Sequence, residues 1–218
     1  MGLLDELKQQ AEAAQRDAEL TLAQLHANCT AIDGALRAVF KTFYELNEQL
    51  KLIPLESPHV WRFWGVGEWQ GLRKERSAVD MRLKKTEGRE FADSVDLVIR
   101  WLAPSPLTAS YGSQGETSYM KDKLWALGLQ FDERIQKNEE GRFVRASLLI
   151  EPQLLTRLHF EALPQKGLIR LIVRNLDRLQ EDVIELAPAD CTPELGEELL
   201  KAALGKPNTA GQLLGRGN

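Results

Sequence analysis

The chain has 218 residues, 43% of them hydrophobic and 28% charged, enough for one ordinary domain plus an extended element. Its mean hydropathy of -0.32 and the want of any run of about 18 apolar residues exclude a membrane-spanning helix of the usual kind. The opening Met1-Gly2-Leu3-Leu4-Asp5-Glu6 has no basic stretch and does not read as a secretory signal, so the expected location is cytoplasmic, with no membrane role.

Charge is uneven along the chain. Residues 61–89 hold eight bases against four acids, and residues 177–200 hold eight acids against one base, Arg178, so the two segments form poles that can meet within a dimer or address an outside partner. Cys29 and Cys191 belong to no C-x-x-C or Cys/His cluster; they are expected to be buried thiols, with no metal or cofactor.

Small and apolar residues recur by threes and fours from the start: Leu4, Leu7, Ala11, Ala14, Ala18, Leu22, Leu25, Cys29, Ile32, Leu36, Val39, Phe43, Leu46, Leu50 and Ile53. With one 4-4 step through Ala18, this is the seam of a heptad repeat. A helix over residues 1–53 would be roughly 75 Å long, more than a small core can cover. Two readings follow. In the first, one continuous helix pairs with its copy in a homodimer through Leu22, Leu25, Ile32, Leu36, Val39, Phe43, Leu46 and Leu50. In the second, Asp33-Gly34 breaks the run and a helical hairpin forms. Pro54 and Pro58 end the helix in either case. Its polar face mixes Glu6, Glu12, Asp17 and Glu19 with Lys8 and Arg16, unlike a membrane-surface helix.

Residues 54–76 are rich in Trp and Arg. Trp61, Arg62, Trp64, Trp69, Arg73 and Lys74 are the ingredients of a single-strand nucleic-acid platform, and equally of a buried joint between helix and sheet. The negative net charge favours the joint. Gly65 and Gly67 do not stand between a strand and a helix as a dinucleotide loop requires.

From residue 77 the apolar period changes to two. Val79, Met81 and Leu83 pair with Val95, Leu97, Ile99 and Trp101 across a turn at Glu87-Gly88. Residues 103–118, with their Pro, Ser, Gly and Thr, read as a mobile loop, after which Thr117 or Ser118 caps a short helix carrying Met120, Leu124 and Leu127 and stopped by Gly128. Strands follow through Phe131 and Ile135, then Val144, Ala146, Leu148 and Ile150 beyond a turn at residues 138–141. Further strands run through Thr156, Leu158 and Phe160, then Ile169, Leu171 and Val173, and last residues 183–186. Short connections imply antiparallel neighbours. Thr192-Pro193 starts a C-terminal helix, and residues 205–218 read as a flexible tail. The expected fold is α+β: a long N-terminal helix (coiled-coil-like or a helical hairpin), a mostly antiparallel meander of about six to seven strands over residues 77–204, and a short C-terminal helix.

Residues that could carry chemistry are sparse. The histidines, His26, His59 and His159, show no ligand or nucleophile spacing. Aligning Leu158 with Leu171 and Phe160 with Ile169 sets His159 opposite Arg170 on an outward face shared with Arg157, Arg174, Arg134 and Arg145. That face would suit an anion or a phosphate backbone unless the acidic C-terminal segment covers it. The acid pairs Glu139-Glu140, Glu181-Asp182 and Glu197-Glu198 fall in turns or on polar faces, and no catalytic residue is assigned. The sequence thus points first to a non-catalytic interaction or scaffold protein, self-associating through the N-terminal helix and recognising another protein through its sheet. Nucleic-acid or polyanion binding is the alternative, and an enzyme of unidentified type the second alternative.

Overall fold

The computed structural model describes residues 3–86 and 88–216, with side chains described for residues 21–85 and 88–216. Helix α1, Leu3–Leu52, runs unbroken through Asp33-Gly34, so the hairpin alternative is not the one adopted. A glycine inside a helix costs about 1 kcal/mol relative to alanine. That is small beside the flanking Ile32, Leu36, Val39 and Phe43, all of them buried. Asp33, a residue that often ends helices, has work within this one: its Oδ1 accepts from the Ala92 amide at 2.7 Å and its Oδ2 from Arg37 Nε at 2.8 Å. At the other end Lys74 Nζ donates to the Leu50 carbonyl, satisfying one of the acceptors a helix terminus leaves open.

Within the described part of α1 the cover of the seam changes along the helix. Cys29, Ile32, Leu36, Val39, Phe43 and Leu50 are buried and Leu46 is half-buried, because α1 lies along two long strands and touches the C-terminal helix. Six of the eight residues expected to face a second copy (Ile32, Leu36, Val39, Phe43, Leu46 and Leu50) are therefore covered by the chain's own body. The seam positions from Leu4 to Ala18 lie outside the residues whose side chains are described.

A hairpin of β1 (Trp61–Phe63) and β2 (Gly67–Trp69) follows, then the long pair β3 (Arg73–Thr86) and β4 (Arg89–Leu102). Next come β5 (Leu107–Tyr111), α2 (Gln114–Ala126), β6 (Phe131–Lys137), β7 (Phe143–Ile150), β8 (Gln153–Leu163), β9 (Leu168–Arg174) and β10 (Glu181–Leu186). Helices α3 (Pro193–Ala203) and α4 (Ala210–Leu213) close the chain. The fold is α+β, with antiparallel pairing throughout the described residues. The strands form three sheets: β1-β2, β10-β9-β8-β4-β3 and β5-β7-β6.

This departs from a simple meander. β4 pairs not with β5 but with β8, from Ser94 opposite Glu161 to Leu102 opposite Gln153, while β5, β6 and β7 fold into a sheet of their own. The expected loop at residues 103–118 contains β5 and the start of α2, whose cap is Ser113 rather than Thr117 or Ser118; Ser113 Oγ accepts from the Glu116 amide at 3.2 Å. Thr117 is instead buried in the first turns of that helix. Gly128, with φ +70, does stop it.

One core joins all of this. The inner face of the five-stranded sheet (Val95, Leu97, Ile99, Trp101, Leu158, Phe160, Leu171 and Val173) packs under α1 and α3, and the rings of Phe43 and Phe160 meet at 5.8 Å. α3 approaches so closely that a Cβ on Gly196 would sit 2.7 Å from Phe43 Cε1. The C-terminal segment is not loose through Arg216: Ala210 and Leu214 are buried, and Arg216 Nη1 reaches Asp177 at 2.7 Å while its Nη2 pairs with Asp182.

Candidate functional site

Three surfaces collect the residues that the sequence singles out. The first is the outer face of the five-stranded sheet. His159 and Arg157 on β8 and Arg170 and Arg174 on β9 do share it, but their partners differ from expectation: β8 and β9 pair two residues out of the anticipated step, so His159 stands opposite Ile172 and Arg170 opposite Glu161. The cause is the turn. The anticipated alignment makes Pro164-Gln165 a two-residue hairpin turn, whose first position needs the positive φ that proline cannot adopt. The chain uses the four residues 164–167 instead and gives the left-handed position to Gly167, φ +68. A shift of two keeps every side chain on its face, so the face is as expected and the neighbours are not. Arg134 and Arg145 are not on it; they lie on the separate three-stranded sheet, beside a shallow cleft of about 360 Å³.

The bases of this face are matched by acids. Arg157 Nε reaches Asp96 Oδ1 at 2.6 Å and His159 Nδ1 reaches Asp96 Oδ2 at 2.9 Å. Arg170 bonds Glu161 at 3.1 Å and lies 3.5 Å from Glu185, and Arg174 Nε bonds Glu181 at 2.8 Å. Glu181 and Glu185 come from the acidic pole of the sequence, but the arginines they meet stand on β9 and not in the basic pole of residues 61–89. Burial alone would raise the Asp96 carboxyl, but the hydrogen bonds and charges of His159 and Arg157 outweigh it and hold its pKa at about 2. A cleft of about 350 Å³ opens beside this cluster, between Asp80, Val98, Leu155 and Arg174. Among the described residues His159 has Asp96 and Arg157 as its partners and no hydroxyl or thiol in reach, so the geometry builds an ion-pair ladder and not an activated nucleophile.

The second surface is the Trp-rich segment. Trp61, Phe63 and Trp69 are buried; Trp61 Nε1 donates to Ser57 Oγ at 3.2 Å, Trp69 Nε1 to the Ser105 carbonyl at 2.9 Å, and His59 Nε2 bonds the Ala202 carbonyl at 2.9 Å. These contacts tie the segment after α1 to the entry of β5 and to α3. Arg73 pairs its backbone with Glu56, and Lys74 caps α1. Trp61 and Trp69 therefore offer no ring to a base. Trp64 does keep open surface, at the hairpin tip with φ +32, and Lys123 Nζ sits 4.9 Å from its ring and 4.5 Å from that of Tyr119. Arg62 is exposed, 3.6 Å from Glu68.

The third surface surrounds residues 21–28 of α1, the outer end of the stretch whose side chains are described. Two clamps mark the place: Asn28 Nδ2 donates to the Pro164 carbonyl at 2.9 Å, and on another side Arg89 Nη1 lies 3.1 Å from His26 Nε2, whose ring meets Phe91 edge-on at 5.9 Å. Leu25 is half-buried and Leu22, one turn further out, is 54% exposed. A groove of about 530 Å³ lies between Thr21, Gln24, Leu25 and Asn28 on α1 and Pro164 and Gln165 on the β8–β9 turn. Beside it the tip of the β3–β4 ribbon, which runs past the last pairing of β4 with β8 at Ser94, presents exposed Arg82, Lys84, Lys85 and Arg89. The sequence counts these four bases in its basic pole of residues 61–89 but does not set them together at a ribbon tip.

No protein-family model matches the chain, and no curated protein and no solved structure is significantly similar to it. No described helix is long and apolar enough to cross a membrane. Among the described residues no three His, Cys, Asp or Glu side chains come together as a metal ion would need.

Proposed function

We propose that this chain is a non-catalytic interaction protein that self-associates through the projecting first half of α1, residues 3–25, while its sheet body carries the surface offered to a further protein. The observation that carries the reading is the uneven cover of the seam: Cys29, Ile32, Leu36, Val39, Phe43 and Leu50 are buried, Leu46 and Leu25 half-buried, and Leu22 is open to solvent. Residues 3–25 extend for about 34 Å. A lone helix of that length is marginal in water, and its seam leucines, Leu4, Leu7, Leu22 and Leu25, gain about 1.5–3 kcal/mol each when fully buried. A second copy of the same seam is the simplest cover.

Polyanion binding is the less supported reading, because Arg157, His159, Arg170 and Arg174 already face acids on the same sheet. Light scattering on the full chain tests self-association: the expected mass is twice 24.6 kDa, and Leu22→Glu, which sets a charge in the seam, should return the mass to that of one chain. A wild-type chain that stays monomeric at tens of micromolar ends the proposal.

A further inference from the structure

We infer that the two projecting helices pair antiparallel, so that the acidic first turn of each docks in the groove and against the basic ribbon tip of the other copy. The inference rests on the self-association proposed above and adds its direction. Three features of the molecule lead to it.

The first is the distribution of residue sizes along residues 3–25. Leucines stand at both ends of the seam (Leu4 and Leu7, Leu22 and Leu25) and alanines in the middle (Ala11, Ala14, Ala18). Reversing one copy matches Leu4 with Leu25, Leu7 with Leu22 and Ala11 with Ala18, each pair summing to the same number. Large residues then meet large and small meet small, and the dimer has its two-fold axis near Ala14.

Charge settles the direction. Asp5 and Glu6 fall in the first turn of α1, while at the other end of the stretch Arg89 lies beside His26, with Arg82, Lys84 and Lys85 exposed on the paired strand of the same ribbon. A parallel pair would set the two basic tips side by side and the two acidic turns side by side, with like charges in both places. An antiparallel pair sets acid against base at both ends.

The third feature is the groove itself. It lies at the root of the projecting stretch, about 34 Å from the first residue of the helix, which is where the far end of an antiparallel partner of equal length arrives. Its half-buried Leu25 and the Pro164 ring give it an apolar floor for the partner's first leucines.

Three samples of the full chain decide the matter: Leu7→Cys alone, Leu22→Cys alone, and an equal mixture of the two, each oxidised and its mass also taken by light scattering. The native Cys29 and Cys191 are buried and stay out of the reaction. Antiparallel pairing holds position 7 of one copy about 22 Å from position 7 of the other, too far for a disulfide, so a covalent dimer should form in the mixture alone. Covalent dimers in the single-variant samples overturn the inference and leave self-association standing, as does a dimer by mass that crosslinks in none of the three. Chains that are monomeric by mass, wild type included, overturn the underlying reading as well.

A charge exchange gives an independent check without altering the seam. Lys84→Glu with Lys85→Glu should weaken the dimer about tenfold, since each ion pair occurs twice by symmetry. Adding Asp5→Lys and Glu6→Lys to the same chain should restore it. Weakening without restoration would count against the acid-to-base contact.

Discussion

At Asp96 two effects oppose each other: partial burial makes the carboxylate costly, and Arg157 and His159 more than offset it. With a pKa of about 2 in the folded chain against 3.8 as the ordinary value, the group contributes about 2 kcal/mol to stability. Because the folded value is the lower one, that contribution is complete above about pH 4 and is lost as pH falls through 2. Asp96→Asn should therefore lower the unfolding free energy by about 2 kcal/mol at pH 7, measured in urea, and the two proteins should converge as pH approaches 2. An equal gap at both pH values would mean that the side chain acts by shape alone. Half of this cluster was legible in the sequence. The period of two put Arg157 and His159 outward together, but the acid that Arg157 meets stands 61 residues earlier, and nothing local says that β4 lies next to β8. The same ignorance of strand order put Arg134 and Arg145 on a face they do not share.

Among the elements, α1 was the most legible, since a seam of fifteen positions keeps nearly one phase and a single glycine cannot outweigh it. Gly34 is exposed, and a Cβ added there would have nothing within 4 Å. Gly34→Ala should therefore stabilise the chain by about 1 kcal/mol, raising Tm by about 2–4 °C in a calorimetric scan. Gly196→Ala, also in a helix, should do the reverse, because its Cβ would enter the Phe43 ring; overpacking of this kind costs about 1–3 kcal/mol. The opposite signs for one substitution separate helix propensity from packing. What the sequence hid at this scale was β5. It is five residues long with Ala109 as its one buried apolar position, so its period is too short to rise above the Pro, Ser and Gly signals around it.

For the whole molecule, the core is one cluster to which α1, all three sheets and α3 contribute; its fully buried members on α1 run from Ile32 to Leu50, and among the described residues Leu22 and Leu25 fall outside it. Heating should show this division. Trp61, Trp69 and Trp101 are buried in the body, so tryptophan fluorescence should report one transition that does not move with protein concentration. The helical circular dichroism should show in addition an earlier loss that shifts upward as the protein is concentrated, because pairing is second order. A single concentration-independent transition in both signals would mean that the projecting stretch gains nothing from a partner. Strand β3 sets a further bound on assembly. It is the outer strand of the five-stranded sheet and is 14 residues long, with Arg73, Glu75, Arg76, Arg82, Lys84 and Lys85 all exposed along it and an extra, unpaired residue at Glu75. A strand from another molecule brought alongside would find its hydrogen-bonding groups out of step and basic side chains crowding its own. Beyond Arg73, where Glu56 already bridges it, this edge is therefore a poor template for sideways addition of a strand.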